Sequence, residues 1–475
     1  MLAVPANIVV LAVPANKRAL ASVSAVCCGL CPPLPACIAL RSNAGRLARD
    51  GQHYRKYGCL YFSERYYCRM INRKPYISIW NELSADKSMV LLAGPRQCGK
   101  TTLAKMLRSG FTNSLYFNWD ILTDKQKLLE DPYFFQSIVR KDKSEPLVIL
   151  DEIHKYKEWK NYLKGVYDKF SGEFHFLISG SGRLDLYQKG GDSLAGRYYL
   201  FHLWPLTLSE LNGCGTSFAE FRDDPTNICT ENRDKLENVW KRLASFSGFP
   251  EPFLKANPRA YRRWSTAYHR QLIREDIRDL TDVKDISDME ILFALLPSKV
   301  AAPLSIPGLA ADLRVSYNTV KNRLDIFERF FLTFSLTPWT KQIARAIHKE
   351  RKLYLFDYAG IENNGAKFEN MIALELFRAV NNWNDMGRGV FDLHYIRTKE
   401  GREVNFLISE NGNPMLLIEA KCGNDKLSPN LQRFSSALGV PGIQLLDQAK
   451  GFKLLKGGKS PILIAPAAWW LPTLP

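Results

Sequence analysis

The stretch SMVLLAGPRQCGKTT, Ser88 to Thr102, constrains this chain more than any other. A short apolar run ends in a glycine-bounded loop that fits G-x-x-x-x-G-K-[ST] at Gly94, Gly99, Lys100 and Thr101, and TTLAKMLR follows with helical spacing. Such a strand–loop–helix unit turns backbone N–H groups inward around phosphate oxygens, and the positive end of the helix lies beneath them. The candidate nucleotide-binding residues are therefore Gly94, Pro95, Arg96, Gln97, Cys98, Gly99, Lys100, Thr101 and Thr102. Lys100 has the reach for the β and γ phosphates and Thr101 has a hydroxyl for Mg²⁺, so ATP with Mg²⁺ is the expected cofactor pair.

About fifty residues on, PLVILDEIHKYKEW places Asp151 and Glu152 at the end of a second apolar run. Two acids there can be a plain helix N-cap. Behind a phosphate loop they suit catalysis, with Asp151 holding Mg²⁺ and Glu152 acting as base on the attacking water. DEIH has the form of a helicase box, but no further helicase motif follows, and His154 is expected to be exposed on a first turn. A third run, FHFLISGSGR, brings Ser179 and Ser181 to a strand end, with Ser181 a candidate for sensing the terminal phosphate. In DSLAGRYYLF, Arg197 is either a finger toward a neighbouring subunit's nucleotide or a surface ion pair. Strand–loop–helix units repeating over residues 88–205 predict a parallel α/β sheet with its ligand at the strand C-termini.

Further motifs follow in order: SLAGRY, WPLTLSEL, SGFPEP, REDIRDL, LYLFDYAGI, AKFEN, REVNF and IEAK. With GPRQCGKTT, VILDEIHKYKEWKNYLKGVYD and LISGS, they make the chain from about Met70 onward similar to the prokaryotic AAA+ ATPases that carry a C-terminal domain of unknown function. The resemblance implies Mg²⁺-dependent ATP hydrolysis. It also implies an α/β AAA+ P-loop NTPase sheet, a winged helix-turn-helix and a restriction-endonuclease-like α/β domain. The expected domains are an N-terminal extension at 1–69, the ATPase core at 70–205 and a helical lid or connector at 206–285. The winged helix-turn-helix then covers 286–345 and the nuclease-like domain 346–475.

Residues 1–69 fit none of these. They repeat LAVPAN, hold six of the ten cysteines and leave Ala19 to Leu40 uncharged but broken by Pro32, Pro33 and Pro35. No stable membrane insertion is expected of that run, and zinc binding at its CC-x-x-C lacks a second ligand pair. A start site placed upstream of Met70 accounts for it most economically. The other cysteines, Cys98, Cys214, Cys229 and Cys422, are scattered, which points to a reducing, cytoplasmic setting rather than a disulfide scaffold. The net charge is +17, and 56 basic against 46 acidic residues remain after position 69. An anionic partner is expected, duplex DNA first, besides a possible homo-oligomer.

In SIPGLAADLRVSYNTVKNRLDIFERFFL, one helix is predicted over Ile306 to Leu313, then a turn at Arg314-Val315, then a second helix capped by Ser316. Val320, Leu324 and Phe327 form its inner face. Tyr317, Asn318, Lys321, Asn322 and Arg323 are then the candidate DNA contacts; a rigid protein–protein connector is the alternative. RRWSTAYHRQLIR adds basic residues between aromatics, equally a solvated amphipathic helix. In the last domain, Glu369, Asn405, Glu419 and Lys421 stand where the resemblance implies a metal nuclease site. Asn405 replaces its central Asp and lacks the charge that offsets Mg²⁺ dehydration, so the site is expected to be degenerate, with Glu403 a possible substitute.

Overall fold

A computed structural model of the protein describes residues 71–180, 194–212, 214–278, 285–340, 350–423 and 425–475, all belonging to one compact unit. Two sheets organise it. The first holds five parallel strands in the order β2-β3-β4-β1-β5: β1 (Met89–Ala93), β2 (Ser114–Asn118), β3 (Leu147–Asp151), β4 (His175–Ser179) and β5 (Tyr199–His202). Strands β1 and β3 are buried along their whole length, as continuous apolar runs in a helix-covered parallel sheet should be. Helices α1 (Lys74–Asp86), α2 (Lys100–Ser109), α3 (Leu122–Glu130) and α4 (Trp159–Phe170) accompany them. This is the α/β fold of P-loop NTPases. From β1 the chain crosses to β2 and returns through β3 and β4 before placing β5 on the other side of β1. The reversal leaves the crevice at the C-terminal end of β1, where the glycine loop begins.

Between the two sheets in chain order come helices α5 (Arg233–Phe246), α6 (Pro258–Gln271), α7 (Ile286–Leu295), α8 (Ile306–Leu313) and α9 (Tyr317–Arg329). The sequence places α8 and the Ser316 cap of α9 correctly: the Ser316 hydroxyl accepts from the Thr319 N–H at 3.1 Å, and Arg314 takes the left-handed turn conformation. Val320, Leu324 and Phe327 are buried as expected. Arg323 corrects the reading. It is 5% exposed and pairs with Asp288 of α7 at 3.0 Å, because position 323 falls between 320 and 327 on the inner face.

The second sheet has eight strands in the order β12-β13-β11-β10-β9-β8-β6-β7. These are β6 (Thr333–Pro338), β7 (Lys352–Leu355), β8 (Phe391–Arg397), β9 (Glu403–Glu410), β10 (Asn413–Lys421), β11 (Gly442–Leu446), β12 (Lys453–Leu455) and β13 (Ile462–Pro466), with α10 (Asn364–Asp385) and α11 (Pro429–Leu438). The hairpin β6–β7 after α9 joins this sheet by parallel pairing of β6 with β8. The expected boundary at 345/346 thus falls between two paired strands of one sheet. Among the described residues no helix is long and apolar enough to cross a membrane. Cys214 and Cys229 form a disulfide with Cα atoms 6.1 Å apart, a correction to the reading of scattered thiols; the loop that approximates them has no signature in the spacing.

Candidate active site

The glycine loop runs from the end of β1 to the start of α2. Gly94 has φ 132°, and a Cβ there would run into the Leu203 carbonyl oxygen after β5. Gln97 and Gly99 also take positive φ, which folds the loop tightly. The Lys100 ammonium is buried and donates to the carbonyls of Gly94 and Pro95 at 2.9 and 2.8 Å. Thr101 donates its hydroxyl to Asp151 Oδ2 at 2.8 Å, and Tyr116 donates to the same oxygen at 2.7 Å. The Ser179 hydroxyl bonds the other oxygen, Oδ1. This convergence follows from sheet register, since Asn118, Asp151 and Ser179 stand side by side at the ends of β2, β3 and β4. Thr101 and Asp151 are thus adjacent oxygen donors beside a lysine, a set that fits Mg²⁺ with a phosphate chain.

Glu152 follows in the left-handed region, φ 58°, held by its N–H to the Ser179 carbonyl at 2.9 Å. Burial raises its carboxyl above the usual range, against the pull of Lys155 and Lys100. His154, expected on the surface, is 2% exposed and packs against Gly180, where a Cβ would collide with its ring. Ser181 lies outside the described residues. Arg197 precedes β5, at the opposite end of the sheet from the glycine loop, and makes a two-pronged ion pair with Asp168 of α4 at 2.7 and 3.2 Å. Within the chain this is a surface ion pair; the finger reading concerns a neighbouring subunit's nucleotide.

Several residues of this region carry no sequence signature. Tyr116 is one. Arg73 donates to the carbonyls of Cys98 and Trp204 at 2.8 and 2.7 Å and pairs with Glu210, bracing the loop from beneath. From α6, the Trp264 indole donates to Gln97 Oε1 at 2.6 Å, and Asp276, in the turn after α6, pairs with Arg96. The opposite contacts of α6 reach the second sheet: Tyr261 and Ser265 donate to Asp357 at 3.0 and 2.6 Å, just beyond β7. The aromatics of RRWSTAYHRQLIR, Trp264 and Tyr268, are therefore buried between the loop and the rest of the molecule. Only sequence separations of 92 to 180 residues connect these pairs, so no local pattern reveals them.

The nuclease-like residues also meet. The β8–β9 register shifts between His394 and Ile396, opposite Val404 and Leu407, and this bulge sets Asn405. Its carbonyl accepts the Ala420 N–H at 2.9 Å, so its NH₂ faces Glu369 Oε2 at 2.6 Å. Lys352, 1% exposed, lies 2.9 Å from Glu369 and 2.5 Å from Glu403. Burial opposes its charge, but the two carboxylates outweigh that and raise its pKa. Glu419 accepts from the Ser428 hydroxyl and the Asn405 N–H, each at 3.3 Å, and burial pushes it up to about 7. Lys421 turns to the Lys426 carbonyl at 2.9 Å. Glu403 thus joins the cluster as expected from its position, but as a partner of Lys352. Among the described residues no group of three or more His, Cys, Asp or Glu could hold a metal.

Of the expected DNA-facing set, Tyr317, Asn318, Lys321 and Asn322 are exposed on α9. Residues 86–212 match the family model of an AAA domain, and residues 237–363 match that of a domain of unknown function. Over 362 residues the chain is 24% identical to an uncharacterized protein of Mycobacterium tuberculosis, covering 73% of each chain, and to the same extent to one of Mycobacterium bovis. An uncharacterized protein of Methanocaldococcus jannaschii is 23% identical over 290 residues, 56% of this chain and 60% of that one. Among solved structures, the Walker-type ATPase of Pyrococcus abyssi aligns with a TM-score of 0.39 and 14% identity, covering 62% of this chain and 95% of that one. By its sheet order and its family match, the segment 86–212 is an AAA-type P-loop domain.

Proposed function

We propose that the protein binds and hydrolyses ATP with Mg²⁺, and that turnover rearranges a DNA-associated complex. The observation that carries this is the convergence of Thr101, Tyr116 and Ser179 on Asp151, next to Lys100 under the glycine loop. When bound, Mg²⁺ and the triphosphate supply an electrophilic phosphorus whose charge is partly neutralised. Lys100 exchanges its loop carbonyls for phosphate oxygens, and Thr101 and Asp151 hold the metal. Glu152 takes the proton of the attacking water; a carboxyl raised by burial is better matched to that task near neutral pH than an exposed one. Helix α6 touches both the loop, through Trp264, and the second sheet, through Tyr261 and Ser265, so a change at Gln97 has a rigid lever to act on.

DNA association is supported by the net charge of +17 and by the exposed polar face of α9. Cleavage by the C-terminal cluster is disfavoured, since Asn405 spends its carbonyl on the Ala420 N–H and Lys352 already pairs with two of the acids. The test is phosphate release with and without duplex DNA, for wild type and Glu152→Gln. DNA should stimulate the wild type, and Glu152→Gln should still bind ATP but turn over about 100-fold more slowly or worse. Normal turnover by Glu152→Gln would remove the base assignment, and a salt slope near zero for DNA binding would remove the DNA reading.

A further inference from the structure

The C-terminal sheet ends in an edge strand of unusual composition. AKGFKLLKGGKSP, Ala449 to Pro461, has a lysine at every third position, 450, 453, 456 and 459, and no acid. Residues 451–459 are exposed without interruption and include Phe452, Leu454 and Leu455 at 46%, 36% and 41%. One side of β12 pairs with β13, and among the described residues no strand pairs with its other side. Of the four lysines, Lys453 is paired, with Asp425; Lys450, Lys456 and Lys459 make no ion pair among the described residues.

The position of this strand is specific. Lys453 stands opposite Ile464, Ile464 opposite Gln444, and Gln444 opposite Glu419. Lys453 therefore continues the row that contains the polar cluster, three strands or about 14 Å away, while its neighbours Phe452 and Leu454 alternate to the other face at the same edge. Glu419 and Gln444 both bond Ser428, so this row shares a face. Natural sheets use lysines on an edge strand to prevent pairing with other strands, but such an edge does not need exposed Phe and Leu among them. A regular series of cations beside an exposed aromatic ring is instead what a nucleic-acid strand requires: phosphates on the lysines and a base stacked on the ring.

We propose that β12 and its flanks bind single-stranded nucleic acid, with Lys450, Lys453, Lys456 and Lys459 on the backbone and Phe452 under a base. This rests on the DNA-associated reading above, and it assigns the strand-binding surface to the C-terminal sheet rather than to α9. The single-stranded form is favoured because base stacking on Phe452 needs an unpaired base.

The test uses the full chain and fluorescence anisotropy of a labelled 20-nucleotide single strand over a salt series. The wild type is compared with the quadruple Lys→Ala variant at 450, 453, 456 and 459, and with Phe452→Ala. An α9 variant, Tyr317→Ala with Lys321→Ala, and anionic phospholipid vesicles are the controls. The quadruple variant should lose about three units of log–log salt slope, and Phe452→Ala should bind roughly tenfold more weakly. Both should keep wild-type melting temperature, as all five positions are exposed. Binding and slope unchanged in the quadruple variant, while the α9 variant loses them, would overturn this inference and leave the DNA reading standing. No binding by the wild type to single strand or duplex overturns both. Vesicle binding that depends on the lysines, with no oligonucleotide binding, makes the strand a membrane surface and overturns the proposal.

Discussion

The glycine loop and the C-terminal polar cluster are both gathered by strand ends, and both hold lysine beside carboxylate, yet they are built to opposite effect. At the loop, Lys100 rests on two main-chain carbonyls and Thr101 and Asp151 present neighbouring oxygens. At the cluster, the cation is Lys352, held between Glu369 and Glu403, and the Asn405 amide is used at both ends. The first arrangement can exchange weak neutral contacts for phosphate and metal. The second already contains its own counter-ion, so an incoming metal would have to displace a buried lysine. The comparison teaches that a residue pattern marks a site only when its charges are left for a ligand to satisfy.

That contrast can be broken at several points. Removing the internal cation, Lys352→Met, should cost about 3–5 kcal/mol in chemical denaturation, because Glu369 and Glu403 are left without it. A loss below about 1 kcal/mol would mean that the lysine is not their counter-ion. Asn405→Asp converts a donor facing Glu369 into a like charge, and a destabilisation of about 1–3 kcal/mol is expected, relieved by millimolar Mg²⁺. If Mg²⁺ left the variant's stability unchanged, a missing ligand would not be what keeps metal out.

The pH dependence is a gentler probe. Glu419 has a folded pKa of about 7 against an ordinary value of 4.5. Between those values the folded chain binds more protons than the unfolded one. Its contribution is therefore fully present below pH 4.5 and is lost as the pH rises through about 7. Glu419→Gln should flatten that part of the stability profile by on the order of 2–3 kcal/mol; an unchanged slope between pH 5 and 7 would place the proton elsewhere. The smallest effect is expected at Arg197. Arg197→Ala removes an exposed, solvent-screened pair with Asp168, so the melting temperature should be essentially unchanged and ATP turnover should stay within about threefold of wild type. A hundredfold loss would support the finger reading.

What the sequence made legible was local. The strand–loop–helix around Lys100, the acids ending β3, and the Ser316 cap each depend on residues within one or two turns of one another. What it hid was set by tertiary approach: Trp264 reaches Gln97 across 167 residues and Asp276 reaches Arg96 across 180. The charge of Arg323 points to exposure, whereas helical geometry puts it beside Leu324 facing Asp288. Lys352 reads as an ordinary strand-edge lysine until β7 is laid against α10. The Cys214–Cys229 pair likewise depends on a loop path that spacing alone does not fix.

The central claim is that turnover chemistry belongs to the glycine loop and not to the C-terminal cluster. Phosphate release from Mg²⁺-ATP, measured on Lys100→Ala and Glu419→Gln beside the wild type, tests it most directly. Lys100→Ala should fall by about 100-fold or more while Glu419→Gln stays within about threefold. Hydrolysis that survives Lys100→Ala, or that collapses with Glu419→Gln in a folded protein, would contradict it.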